Sequence, residues 1–208
     1  AAVLAASMPA LASTVVIESW ENTLDGWTVP PAYNAEPYTS SFSTVLGVTD
    51  GSYSLAVSGT AGPNYGQLLA GPSSTGLTSI LGNATSLSLD IYTPPGSFGY
   101  FLQFDIDINN ADTGFVSLDG YSYPSTTIGS ESTITVPISS SLAATLASSS
   151  NPTAIFIQVG GGYTDGNETM YLDNLRADVT VPDPASAASG IVLVAGLGVS
   201  RLSRSRRK

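Results

Sequence analysis

Apolar and polar residues alternate, or apolar residues run together over strand length, in a series of short segments along this chain, and each predicts a β-strand. The segments are Thr14–Ile17, Ser52–Val57, Ser86–Ile91, Tyr100–Ile108, Gly114–Leu118, Ser132–Ile138, Ala154–Val159 and Thr169–Leu175. Turn formers separate them: Asp50-Gly51, Gly62-Pro63-Asn64, Pro94-Pro95-Gly96, Asn109-Asn110 and Gly160-Gly161-Gly162. A helix is predicted over Ser140–Ala147, where Ser can cap and Ala and Leu propagate. Eight short strands with this punctuation predict an all-β fold, an antiparallel jelly-roll sandwich with one short helix across one end. Residues 13–180 carry the pattern without a repeat or a Pro-rich linker, so one domain is expected there.

Composition sharpens this reading. The 208 residues include 31 Ser and 21 Thr, which suit strands and turns better than helix faces. There is no Cys and no His. Disulfide frameworks, thiolate zinc sites, imidazole metal ligands and Ser-His-Asp catalysis are thereby excluded. The formal net charge of −10 comes from 16 acidic and 6 basic residues. Five of the basic residues fall within Arg201–Lys208, so the chain before them sets Arg176 alone against every carboxylate. A body that acidic repels phosphate backbones, and nucleic acid is not an expected partner.

Candidate chemistry concentrates in the fourth predicted strand. With a period of two, Phe101, Gln103, Asp105, Asp107 and Asn109 share one face, while Leu102, Phe104, Ile106 and Ile108 share the other. The second set belongs to the core. The first joins an aromatic ring to amide and carboxylate oxygens, a combination that stacks on a pyranose and holds its hydroxyls. Asp119, Tyr121 and Tyr123 extend the same kind of surface. An outward strand face in a Lys-poor protein would also carry Asp, Asn and Gln simply to meet water, and the sequence leaves both readings open. Neighbouring positions on one strand face are about 6.6–6.8 Å apart. Asp105 and Asp107 therefore fit the wider carboxylate spacing of inverting glycosidases, but nothing in the sequence splits their pKa values, and no enzyme is expected.

Both ends read as addresses. Ala1–Ala12 is apolar and ends in Ala10-Leu11-Ala12, which fits cleavage of a signal peptide before Ser13, the chain beginning inside a longer one. A buried first strand or helix is the competing reading. At the other end, Pro182-Asp183-Pro184 precedes a short hydrophobic segment, Ala187–Val199, and then Arg201, Arg204, Arg206, Arg207 and Lys208. The segment falls short of the ~20 residues of a full membrane span, and the basic residues behind it fit a cytoplasmic end. This tripartite tail, residues 181–208, resembles the PEP-CTERM sorting signal of Gram-negative bacteria, with Asp183 where that family usually has Glu. The resemblance implies export, transient anchoring in the inner membrane, processing by an exosortase, and association with exopolysaccharide or biofilm matrix at the cell surface. A plain tail anchor is the alternative.

The body carries a second resemblance. Trp20-Glu21-Asn22-Thr23-Leu24-Asp25-Gly26-Trp27, Val48-Thr49-Asp50-Gly51-Ser52-Tyr53-Ser54-Leu55 and Met170-Tyr171-Leu172-Asp173-Asn174-Leu175-Arg176 follow one another as in galactose-binding-like jelly-roll carbohydrate-binding modules. That family implies a structural Ca²⁺ between the first and last strands, and by position Glu21 and Asp173 would be its carboxylate ligands, with Asp50 as a third. The expected function is a non-catalytic, carbohydrate-associated β-sandwich outside the cell. The alternative is a purely structural surface or matrix component.

Overall fold

The computed structural model describes residues 11–29, 38–59, 66–96, 102–119, 126–161 and 168–181. Phe101, Tyr121, Tyr123 and residues 182–208 of the sorting-signal tail lie outside them. The elements run β1 (Leu11–Glu18), β2 (Thr39–Ser43), β3 (Ser54–Gly59), β4 (Gly66–Ala70), α1 (Thr75–Leu81), β5 (Ala84–Tyr92), β6 (Leu102–Asn110), β7 (Gly114–Ser117), β8 (Glu131–Pro137), α2 (Ser140–Ser148), β9 (Thr153–Gly161) and β10 (Glu168–Val181). By contacts the chain divides into a body, Thr14–Val179, and a unit made of its two ends, 1–13 and 180–208. Among the described residues, no helix is long and apolar enough to cross a membrane.

The strands form two antiparallel sheets, as the jelly-roll reading expects. The first has the order β2-β3-β10-β5-β8, with β1 also pairing β10, and the second has the order β4-β9-β6-β7. Alternation drives the packing. Leu87, Leu89 and Ile91 of β5, with Ile134 and Val136 of β8, are buried from one sheet. Phe104, Ile106 and Ile108 of β6, with Ile155, Ile157 and Val159 of β9, are buried from the other. Each such side chain withdrawn from water contributes about 1.5–3 kcal/mol. In β10 the buried positions change phase, from Met170 and Leu172 to Leu175, Ala177 and Val179. A bulge between Asp173 and Arg176 absorbs the change, with Asn174 in the left-handed region at φ 52°.

Helix α2 forms where the sequence places it, capped by Ser139, whose hydroxyl accepts the Leu142 N–H at 3.2 Å. Helix α1 and strands β2 and β4 were not expected. α1 contains Gly76, Thr75, Thr78 and Ile80, all weak helix formers. Tertiary contacts hold it instead: Ser74 caps Leu77 N at 2.9 Å, Leu77 and Leu81 are buried, and the Thr78 hydroxyl donates to Asn151 O at 2.8 Å.

A polar cluster ties the first sheet together. The Asp90 carboxylate receives Thr133 Oγ1 at 2.6 Å, Thr49 Oγ1 at 2.9 Å, Asn174 Nδ2 at 2.9 Å and Arg176 Nη1 at 2.9 Å. The same Arg176 nitrogen donates to Asn174 O at 2.9 Å. Burial alone would raise the Asp90 carboxyl, but these donors and the guanidinium charge hold it below the usual aspartate value. Arg176→Leu removes the cation and leaves Asp90 buried, so urea denaturation at pH 7 is expected to show a loss of about 3 kcal/mol. Arg176→Lys keeps the charge and is expected to recover part of it.

Candidate functional site

β6 is central to the second sheet, with β9 on one side and β7 on the other. Its register places Asp105 opposite Gln158, and Asp107 opposite both Phe156 and Ser117. Residues directly opposite share a face. Gln103, Asp105, Asp107 and Asn109 therefore stand with Phe156, Gln158, Phe115 and Ser117 on the side of the sheet away from the core. Asp119 follows β7 and comes within hydrogen-bond reach of this group. Of the eight residues read from sequence as a carbohydrate face, the structure gathers Gln103, Asp105, Asp107, Asn109 and Asp119. Phe101, Tyr121 and Tyr123 fall outside the described residues.

One expectation needs correcting. A solvent-facing strand would expose its carboxylates, yet Asp105 and Asp107 have 0% exposure, as buried as Ile106 between them. Only Asn109 of the strand's polar set is exposed, with Gln103 half-buried. The cause is the strand's central place, where flanking side chains on β7 and β9 close over its middle. The Ser117 hydroxyl lies 3.1 Å from Asp105 Oδ1 and 2.9 Å from Asp119 Oδ1, but it has a single proton to donate. The Gln158 amide donates to Asp107 Oδ2. Asp105 Oδ2 and Asp107 Oδ1 are buried and make no hydrogen bond.

Carboxylates this crowded resist ionisation. Burial, followed by the charges of Asp107 and Asp119, pushes Asp105 up to about 7. Burial also pushes Asp107 up to about 6, against the lowering effect of hydrogen bonds from Asp105 and Gln158. The titration therefore belongs to the pair of carboxyls and not to either residue alone.

Aromatic surface lies beside the acids. Phe115 and Phe156 pair across the sheet with ring centroids 5.6 Å apart at 47°, and Phe115 is 46% exposed. Neither ring was singled out from sequence, nor were Gln158 and Ser117. The signal was present in Ile155-Phe156-Ile157-Gln158, whose alternation sends Phe156 and Gln158 to one side.

The three residues placed around a calcium ion by resemblance meet at a single turn. Asp173 Oδ2 accepts the Thr49 N–H at 2.6 Å and the Asp50 N–H at 2.8 Å, while Oδ1 accepts the Asn174 N–H at 2.7 Å. Glu21 accepts the Ser52 N–H at 3.0 Å and the Tyr53 N–H at 3.3 Å. Gly51 sits beneath Glu21 at φ 64°, where a Cβ would run into the carboxylate. Calcium gathers six to eight oxygens, whereas here the acids face N–H donors. Among the described residues, no group of three or more acidic side chains is arranged to hold a metal. Two carboxylates thus pin this turn.

No protein-family model matches the sequence, and no curated protein matches it either. Solved structures do match by fold. One is a carbohydrate-binding module of the β-sandwich superfamily described for its promiscuous specificity, with a TM-score of 0.56 and 21% identity over 77% of this chain. This chain spans 60% of that one. Another is CBM27-1 of Caldicellulosiruptor saccharolyticus in complex with mannohexaose, with a TM-score of 0.52 and 15% identity over 82% of this chain and 98% of that one. A third is an exo-β-agarase, at 0.51 and 14%, of which the match covers 25%. These likenesses establish the fold shared with carbohydrate-binding modules.

The raised carboxyls give a pH dependence with a definite sign. An aspartate that ionises near 3.8 when unfolded but near 6–7 when folded holds its proton more tightly in the folded state. Its contribution is intact below the unfolded value and is lost as pH rises through the folded one. Asp105→Asn is therefore expected to raise the melting temperature at pH 8 and to leave it unchanged near pH 4. A shift of equal size at both values would show that Asp105 ionises normally.

Proposed function

We propose that this β-sandwich binds carbohydrate without catalysis, through the face of the second sheet that carries Phe115, Phe156, Gln158, Asp119, Asn109 and Gln103 over the buried Asp105–Asp107 pair. The observation carrying this reading is the pairing of an exposed aromatic ring with carboxylate and amide groups on one side of a sheet whose other side is core. A sugar ring offers C–H groups to Phe115 and hydroxyls to the oxygens around it. The fold shared with carbohydrate-binding modules, one of them complexed with mannohexaose, supports the same reading. Catalysis fits poorly. Hydrolases hold two carboxyls about 5–9.5 Å apart on either side of a glycosidic bond that must reach them, whereas Asp105 and Asp107 are buried.

The wider setting is proposed from the chain ends. An apolar leader ending in Ala10-Leu11-Ala12, and a tail of Pro182-Asp183-Pro184, apolar segment and Arg201–Lys208, support export and exosortase processing at a Gram-negative surface or matrix. One observation favours a purely structural component instead: the two acids at the centre of the face are inaccessible.

Affinity electrophoresis of the purified protein through gels cast with neutral and with acidic polysaccharides separates the two. Retardation by at least one glycan is expected, with Phe115→Ala weakening it about tenfold, or about 1.4 kcal/mol. Unretarded migration in every gel, with the fold intact by circular dichroism, would leave the structural reading. For export, the intact mass of protein recovered from cells is expected to begin at Ser13 and to lack the residues after Pro184.

A further inference from the structure

A hollow of about 520 Å³ opens between the end of β1 and helix α1, and the sheet face plays no part in it. Such a volume suits a small organic ligand. Ile17, Leu77, Ile80, Ile155, Pro72 and Trp27 give it largely apolar walls, while Glu18, Ser19, Asp25 and Ser74 supply the polar groups. Both charged groups are acidic. Among residues 14–179 the single basic side chain is Arg176, which is engaged with Asp90.

The rim is rigidly built. Glu18 Oε1 accepts the Ser19 N–H at 3.0 Å and the Trp20 N–H at 2.8 Å. Trp20, Asn22 and Asp25 all lie in the left-handed region, at φ 49°, 59° and 44°. For a ring as large as Trp20 that conformation is strained. It is held by the complete burial of Trp20 and by its edge-on packing with Trp27, centroids 5.4 Å apart. Burial, opposed by the backbone N–H groups and assisted by the charge of Asp25, leaves the Glu18 carboxyl above its usual value. Two acids therefore face an apolar hollow with no cation opposite them among the described residues.

We propose that this hollow binds an organic cation, a free aliphatic amine whose stem lies against Ile17, Leu77 and Ile80 and whose ammonium group faces Glu18 and Asp25. An anion would be repelled by both carboxylates. A neutral apolar molecule would cover them without compensating their charge. A pyranose would need an open ring face, and Trp27 is only 5% exposed. The ammonium ion answers all three conditions, adding charge-assisted hydrogen bonds to apolar burial.

Hexylammonium is a suitable probe, titrated into the full chain while tryptophan fluorescence is followed, with hexan-1-ol and hexanoate as isosteric controls. A saturable change is expected with hexylammonium, at least tenfold weaker binding with hexan-1-ol, and none with hexanoate. Asp25→Asn is expected to weaken the amine about tenfold and to leave the alcohol unaffected. Gly76 lines the hollow, and a Cβ there meets only Ser74 Oγ at 3.5 Å, so Gly76→Leu fills the space without a backbone clash. That variant is expected to abolish amine binding at an unchanged melting temperature. Equal affinity for amine and alcohol, no saturable response, or undiminished amine binding by Gly76→Leu would each overturn the proposal. Glycan retardation in gels is read independently, so either proposal can fail without the other.

Discussion

Arg176 is the only cation in the chain before Arg201, and its placement determines how the first sheet closes. β10 runs between β3 and β5, pairing Asp173 with Asp90 before the bulge and Arg176 with Ser88 after it. Without a bulge, the inward set that begins at Met170 and Leu172 would continue through Asn174 and Arg176, driving a guanidinium into the core. With it, Leu175, Ala177 and Val179 turn inward, and Arg176 reaches Asp90 instead. The cost of Asn174 at positive φ is offset by its side-chain bond to Asp90 and its backbone N–H bond to Asp173. Thr49 and Thr133 attach the turn before β3 and strand β8 to the same carboxylate. One ion pair thus fixes the register of three strands and the position of a turn.

Asp90 and Asp105 show how context, not residue type, sets a carboxylate's behaviour. Both are buried, and burial alone would raise both. Asp90 is met by two threonine hydroxyls, an amide and a guanidinium, and so stays ionised. Asp105 is met by one serine hydroxyl and two other acids, and so keeps a proton toward neutrality. The first arrangement stabilises the sheet. The second retains unsatisfied acceptors in its middle, which a fold selected for stability alone would have replaced with apolar side chains.

The sequence made the sandwich legible wherever alternation was strong, as in Ser86–Ile91 and Ala154–Val159. It concealed the elements where alternation fails. β2, TSSFS, has no apolar period, because its first three residues are exposed at the edge of the sheet. In β4, Leu68 and Leu69 are both buried because the register shifts between Gln67 and Leu69, which erases the period of two. α1 depends on Leu77 and Leu81 meeting the core, not on propensity. At the site, period two placed Asp105 and Asp107 on a common face correctly. Their burial follows from residues outside the strand, on the neighbouring β7 and the distant β9, and one strand's pattern cannot report that.

These features also bear on what such a surface can recognise. Fifteen acids and one arginine lie between residues 14 and 179, so the body has almost no means of neutralising an anionic partner. Its donors are hydroxyls, amides and backbone N–H groups, and several of the side-chain donors are engaged with its own acids. Ser117, Gln158, Thr49 and Thr133 all bond to aspartates. A surface in this state has acceptors to offer and few donors. Partners that bring their own protons, as hydroxyls or ammonium groups do, form hydrogen bonds that the protein cannot make internally. The same imbalance that leaves Asp105 Oδ2 and Asp107 Oδ1 unsatisfied therefore favours donor-rich ligands over acceptor-rich ones.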